Sequence, residues 1–319
     1  MTNDQLTYLI FGAIVIVALI FDLGLLSRKN ANITISKALW QTMFWVALAI
    51  VFMFYVWYKY GQTIAIEYVS AYLTEWSLSI DNIFVFILIF SFFGMKQAYY
   101  ARVLLIGILM AIVFRVVFIT VGIALVERFG WLLYIFGGIL VFTGVNMFAA
   151  KHDGEPNLSE NKVYNLLKRI VPITPEDGEG KFVIRRNGKK YYTSIFVVVV
   201  LLATTDIVFA LDSIPAVFGI STHRVVIYTS NIFAVLGLRS LFFLLKEAVG
   251  KFTHLQQGIA VVLVFIGLKM LAEIFHIFIP VYVSLLVIIV CLGASIFYSI
   301  NVAERKGKRL IGKDDIDLL

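Results

Sequence analysis

The chain has one cysteine, four histidines and five prolines in 319 residues, and only 15% of it is charged. A single cysteine, Cys291, excludes a disulfide framework and any metal site built from thiolates. His152, His223, His254 and His276 all fall at or near loops, so zinc and copper, which favour imidazole or thiolate, are poorly provided for. No nucleotide-binding motif is present, and an ATP-driven activity has no support. The scarcity of charge, against 61% hydrophobic residues, departs from the roughly 25% charged and 45–50% apolar composition of soluble domains. The first apolar run also has no Lys or Arg ahead of it, only Asp4, while Arg28 and Lys29 follow. A secretory signal peptide has the opposite order.

What the chain does have is apolar runs long enough to cross a bilayer, which takes about 20 residues. Nine are expected, over 6–27, 38–58, 66–93, 101–125, 131–149, 193–219, 224–246, 255–277 and 279–300. The basic residues fall into two sets. Arg28, Lys29, Lys37, Lys96, Arg102, nine residues from Lys151 to Lys190, Lys246, Lys251 and five in the C-terminal tail lie in one set of connections. Only Lys59, Arg128 and Arg224 lie in the other. Cytoplasmic loops carry the excess of Lys and Arg, so the expected protein is an inner-membrane one with its N-terminus outside and its C-terminus in the cytoplasm. The net charge of +7 then reports topology, and no nucleic-acid partner is expected.

One long polar stretch, 150–192, divides the chain into two related parts. It reads as a cytoplasmic linker with a short amphipathic helix at Val163 to Ile170. Glu75-Trp-Ser-Leu-Ser-Ile-Asp81-Asn-Ile aligns with Asp206-Ile-Val-Phe-Ala-Leu-Asp212-Ser-Ile. Arg115-Val-Val-Phe118 aligns with Arg239-Ser-Leu-Phe242, and Leu140-Val-Phe-Thr-Gly-Val-Asn-Met147 with Leu263-Val-Phe-Ile-Gly-Leu-Lys-Met270. The matches stay in order. The expected fold class is therefore all-α and multi-pass, with about nine transmembrane helices and two inverted three-helix repeats. The divisions are 1–65 (helices one and two), 66–149 (first repeat), 150–192 (linker), 193–277 (second repeat) and 278–319 (helix nine and a basic tail). Inverted repeats place a binding site at their interface near the bilayer midplane.

The chemistry falls on Glu75, Asp81, Asp206 and Asp212. An intramembrane carboxylate costs about 2.5–3.5 kcal/mol on insertion scales, so four that are ionised and unpaired would cost on the order of 10–14 kcal/mol. Protons, a bound metal ion, or the span-borne Arg115 and Arg239 have to offset this. With Asn82 and Ser213 beside the acids, the donors are hard oxygens, the set that suits magnesium, calcium or manganese. Met147 and Met270 would tilt that choice toward manganese if either approached the site, although packing is the simpler role for both. Six-residue spacing puts the two acids of a pair about 120° apart on a continuous helix. Either the two acids of a pair face different neighbours or the helices unwind locally, which Pro215 favours in span six. Lys269 and Glu273, four residues apart, are expected to pair with each other.

These segments, Glu75 to Phe86 and Asp206 to Phe218, resemble the two signature segments of the TerC family, and the resemblance extends over nearly the whole chain. It implies an integral membrane protein of manganese export and of metal supply to exported proteins, with an older link to tellurium resistance. It also implies a metal site at Glu75, Asp81, Asn82, Asp206, Asp212 and Ser213, and the repeat-related Arg115 and Arg239 are the expected charge partners of its acids. The expected activity is secondary export of Mn²⁺, the transported ion, with protons as the natural counter-ion. No organic cofactor and no enzymatic chemistry are expected. Secretion-associated proteins are candidate partners beside the lipid bilayer. The alternative is a non-transporting scaffold or assembly partner in metal delivery or tellurite stress resistance.

Overall fold

Within hydrocarbon every backbone N–H and C=O must be satisfied inside the chain, so apolar runs of this length can only coil into helices. The computed structural model describes residues 3–21, 34–149, 169–174, 178–186, 189–246 and 255–314. In chain order its helices are α1 (Asn3–Phe21), α2 (Ile35–Tyr60), α3 (Gln62–Phe92), α4 (Gln97–Arg128), α5 (Leu132–Ala149), α6 (Ser194–Phe218), α7 (Arg224–Leu245), α8 (Leu255–Ala272) and α9 (Val281–Asp314). Eight are long and apolar enough to cross a membrane, and α5 is a shorter apolar helix. The protein is a multi-pass, helical membrane protein.

Helix α7 is the axis of the bundle. It packs against α2, α3 and α4, and nearly all of it is buried. It tolerates this although it carries polar residues, because its hydroxyls bond back into its own helix. Thr229 Oγ1 donates to the Val225 carbonyl at 2.6 Å and Ser230 Oγ to the Val226 carbonyl at 2.7 Å. Helix α4 packs on α6 as α3 packs on α7, so the polar faces of α3, α4, α6 and α7 converge. The turn from α2 into α3 is a single residue, Gly61, whose φ of 91° is open to glycine at little cost.

Helices α5 and α8 form the closest pair, and small residues make the approach possible. A Cβ on Gly267 would lie 2.6 Å from the Gly137 carbonyl oxygen, and one on Gly144 would lie 2.7 Å from that of Ala260. These two contacts run in opposite directions along the helices, so the pair is antiparallel. Small residues of this kind let membrane helices pack backbone to backbone. Met270 is buried in the same region, against Gly137 and Gly219, and packs there as a side chain.

Three local expectations need comment. The 183–192 part of the linker is an antiparallel hairpin, β1 (Val183–Arg186) with β2 (Lys189–Tyr192), which an all-α reading omits. It is fastened to α4, where Arg102 donates to the Gly180 carbonyl at 2.9 Å and lies over the Phe182 ring. The expected helix at 163–170 lies outside the described residues except for Arg169 and Ile170, which are helical. Unwinding at Pro215 does not occur, and α6 is helical through it. The proline stands three residues from the helix end, so the donor it lacks removes one bond in the last turn. Its own carbonyl still accepts from Gly219 at 3.0 Å.

Candidate functional site

The four converging helices each contribute one polar side chain to a buried cluster around Arg115 of α4. That guanidinium is 1% exposed. Its Nε and Nη2 donate to Oδ2 and Oδ1 of Asp206 on α6, at 2.8 and 3.0 Å. Its Nη1 donates to Oδ1 of Asn231 on α7 at 2.9 Å and to Oε1 of Glu75 on α3. Arginine suits this place because its planar fork matches a carboxylate side-on while a further N–H reaches elsewhere. Two segments separated by 131 residues in sequence are thus joined through one cation.

The cluster is not electrically or sterically finished. Two carboxylates and one guanidinium leave one negative charge when both acids are ionised. Among the described residues, Glu75 Oε2, Ser79 Oγ, Ser213 Oγ and Asn231 Nδ2 are buried and make no hydrogen bond. The Ser213 hydroxyl lies beside the Glu75 carboxylate. Buried polar groups in native proteins are ordinarily satisfied by protein, by ordered water or by an ion. Three of these four atoms are oxygens, as hard-cation binding requires.

Of the sequence-derived candidates, Glu75, Asp206 and Arg115 are brought together. Asn82 and Ser213 are buried on the same two helices as the acids. The side chains of Asp81 and Asp212 lie outside the described ones, although both residues belong to helical backbone. Among the described residues no group of three His, Cys, Asp or Glu side chains gathers to hold a metal. Arg239 is buried as well, but it lies eight residues beyond Asn231 on α7, about 12 Å along the axis. The described bonds to Glu75 and Asp206 come from Arg115.

Asn231 was not among the candidates, and its signal was there: Thr229-Ser230-Asn231 is a polar triplet inside an apolar run. Two hydroxyls of the triplet serve their own helix, and the amide turns to the cluster. Lys269, expected to pair with Glu273 alone, is buried within electrostatic reach of Glu67 as well.

Two cavities flank the cluster. One, about 10 Å³ and large enough for a single water, lies on the side toward the hairpin and is walled by Asp206, Gly107, Ala111 and Leu202. The other, about 520 Å³, lies between α1, α4 and α7 toward the opposite end. Its wall includes Val116 and Ile232, the chain neighbours of Arg115 and Asn231, and the exposed Glu127–Arg224 pair.

The family model described as "Integral membrane protein TerC family" matches residues 60–307. A membrane protein of Myxococcus xanthus is 45% identical over 291 residues, 91% of this chain and 90% of its own length. One of Rickettsia bellii is 40% identical over 304 residues, 94% of this chain and all of its own. A protein of Escherichia coli O157:H7 named "Putative membrane-bound redox modulator Alx" is 37% identical over 312 residues, 95% and 96% of the two chains. No solved structure matches the chain.

Proposed function

This chain belongs to the TerC family of integral membrane proteins, and from that premise we propose that it exports a divalent cation, Mn²⁺, from the cytoplasm as a secondary transporter. The observation that carries the proposal is the buried Glu75–Arg115–Asp206 cluster, with its residual negative charge and its unsatisfied oxygens. A permanent structural ion pair would be expected to satisfy all its lone pairs. This one leaves a Glu75 carboxylate oxygen without a partner, beside the Ser213 hydroxyl.

In this reading Arg115 is the counter-ion of the metal-free state. A hydrated cation entering from the side of the basic loops exchanges water for the oxygens of Glu75 and Asp206, joined by Asp81, Asp212, Asn82 and Ser213. Arg115 yields its bonds as the ion takes over the charge. Hard oxygen donors without thiolate or imidazole suit Mn²⁺, Mg²⁺ and Ca²⁺, and the family resemblance selects manganese among them. Protons released from the carboxylates on metal entry would be the coupling ion.

Alternating access would come from movement of α3–α5 against α6–α8. The reciprocal packing of α3 on α7 and α4 on α6, and the antiparallel contacts of α5 with α8, support an inverted pair of three-helix units. The unequal cavities support a state closed toward the hairpin and more open at the other end. The basic-loop count makes the hairpin end cytoplasmic. Relatives carry the name of redox modulator. With one cysteine this chain has no dithiol pair to cycle, so a redox effect would follow from the metal it moves.

The test is Mn²⁺ flux into proteoliposomes containing the purified protein. Uptake is expected for the wild type and is expected to fall to background in Asp81→Asn and in Asp212→Asn. Undiminished uptake in both variants, or none in wild type, contradicts the proposal.

A further inference from the structure

The linker hairpin carries a charge arrangement that the central site does not explain. Arg185, Arg186, Lys189 and Lys190 are all exposed and hold the four strand positions beside the turn. In the antiparallel register Arg185 stands opposite Lys190, and Arg186 opposite Lys189. Like charges directly opposite each other destabilise a strand pair, and a two-stranded hairpin is marginal in water to begin with. Side chains alternate between faces along a strand, so the two pairs lie on opposite faces and the tip is basic all round. The base is apolar, with Val183 opposite Tyr192 and Ile184 opposite Tyr191. That base is seated on the bundle. Thr193, the one residue between β2 and α6, is fully buried, and its Oγ1 donates to the Lys181 carbonyl at 2.7 Å and accepts from the Phe196 N–H at 3.5 Å. The Tyr192 and Phe196 rings meet at 4.6 Å. On the α4 side Arg102 holds the Gly180 carbonyl, and a Cβ on Gly180 would lie 3.0 Å from the Tyr99 ring.

Two like-charged pairs at the end of a short hairpin call for an anionic partner, and the seat of the hairpin selects which one. Lys189 is five residues before the start of α6, so the tip stands at most about 17 Å from the membrane end of that helix. The headgroup layer extends roughly 5–7 Å beyond the hydrocarbon, and its potential reaches about 8 Å further at physiological salt. Long Lys and Arg stems cover the remaining distance. Tyr191 and Tyr192, half-buried at the base, are the residues that favour the membrane interface. We propose that the hairpin tip, through Arg185, Arg186, Lys189 and Lys190, docks on anionic phospholipid headgroups of the cytoplasmic leaflet. A soluble acidic partner would have to displace headgroups already within reach of the tip. Because the base grips both α4 and α6, this contact tethers the cytoplasmic ends of two cluster-bearing helices to the bilayer surface. The inference requires the cytoplasmic placement of the hairpin and is independent of the ion transported.

Hydrogen–deuterium exchange of the full-length protein in lipid nanodiscs, read by mass spectrometry, tests the inference. Amides of 183–192 are expected to exchange at least about fivefold more slowly in discs containing phosphatidylglycerol than in pure phosphatidylcholine, the effect of roughly one neutralised basic residue at a charged surface. The difference is expected to vanish in about 1 M NaCl, where the Debye length shrinks to about 3 Å. An anionic surface also lowers the local pH and slows exchange generally, so the 93–96 connection on the same side is the reference. The variant Arg185→Gln/Arg186→Gln/Lys189→Gln/Lys190→Gln is expected to exchange alike in both lipids. Equal wild-type rates in the two lipids, or slowing no greater than at 93–96, overturn the proposal. So does equal slowing in phosphatidylcholine discs on addition of inorganic phosphate or polyglutamate, which would assign the tip to a free anion or an acidic protein. The wild-type comparison decides even if the variant loses its hairpin. No arm contains Mn²⁺, so the outcome stands apart from that of the flux assay.

Discussion

Removing the charge of Arg115 would leave Glu75 and Asp206 uncompensated in the bundle interior. Breaking one partner out of a buried ion pair costs about 3–5 kcal/mol, so Arg115→Ala should lose that much stability in denaturant unfolding in detergent. Arg115→Lys should lose less, because it retains charge but not the fork that holds both Asp206 oxygens. Arg224→Ala, which breaks an exposed pair with Glu127, should scarcely change the unfolding curve. The acids and Arg115 were legible in the sequence because charge is so rare in apolar runs that each instance demands a reason. The polar triplet marks Asn231 only weakly, and nothing marks Glu67. An amide carries no such cost, and Glu67 sits near a helix start, where an acid reads as a boundary residue until Ser221 is seen to donate to it.

Helix α8 is fixed to α5 by glycines whose replacement has predictable signs. Gly267→Ala would place a methyl 2.6 Å from the Gly137 carbonyl oxygen, a backbone atom that can yield only if the helices part. Overpacking of this kind costs about 1–3 kcal/mol. The control is Gly12→Ala in α1, where a Cβ meets nothing within 4 Å. It should be neutral or slightly stabilising, by about 0.4–1 kcal/mol, through the unfolded chain. Both effects can be read from thermal melting of the purified variants. The helices themselves followed from run length and most were anticipated within a few residues, but α9 runs to Asp314, well past the expected end at 300 and into the basic tail. The hairpin was readable too, since Asn187-Gly188 between Val183-Ile184 and Tyr191-Tyr192 is the strongest short-range hairpin signal. It was hidden by the basic residues around it, which look like a solvated loop. Pro215 misled in the other direction, because with the span expected to end at 219 it already lay in the last turn, where a missing donor costs a single bond.

Across the whole molecule, the basic connections should face the cytoplasm. In a Cys291→Ser background, Lys189→Cys should react with a membrane-impermeant maleimide only in inside-out vesicles, and Glu127→Cys only in right-side-out ones. The opposite pattern would reverse the direction assigned to transport. The central claim is that Glu75 and Asp206, held by Arg115 when no metal is bound, are the ligands of the transported ion. Its most direct test is electron paramagnetic resonance of Mn²⁺ added to purified protein. The account predicts a bound-Mn²⁺ signal for wild type and for Glu127→Gln, lost in Glu75→Gln/Asp206→Asn. A double variant that stays folded and binds Mn²⁺ as wild type does would contradict it.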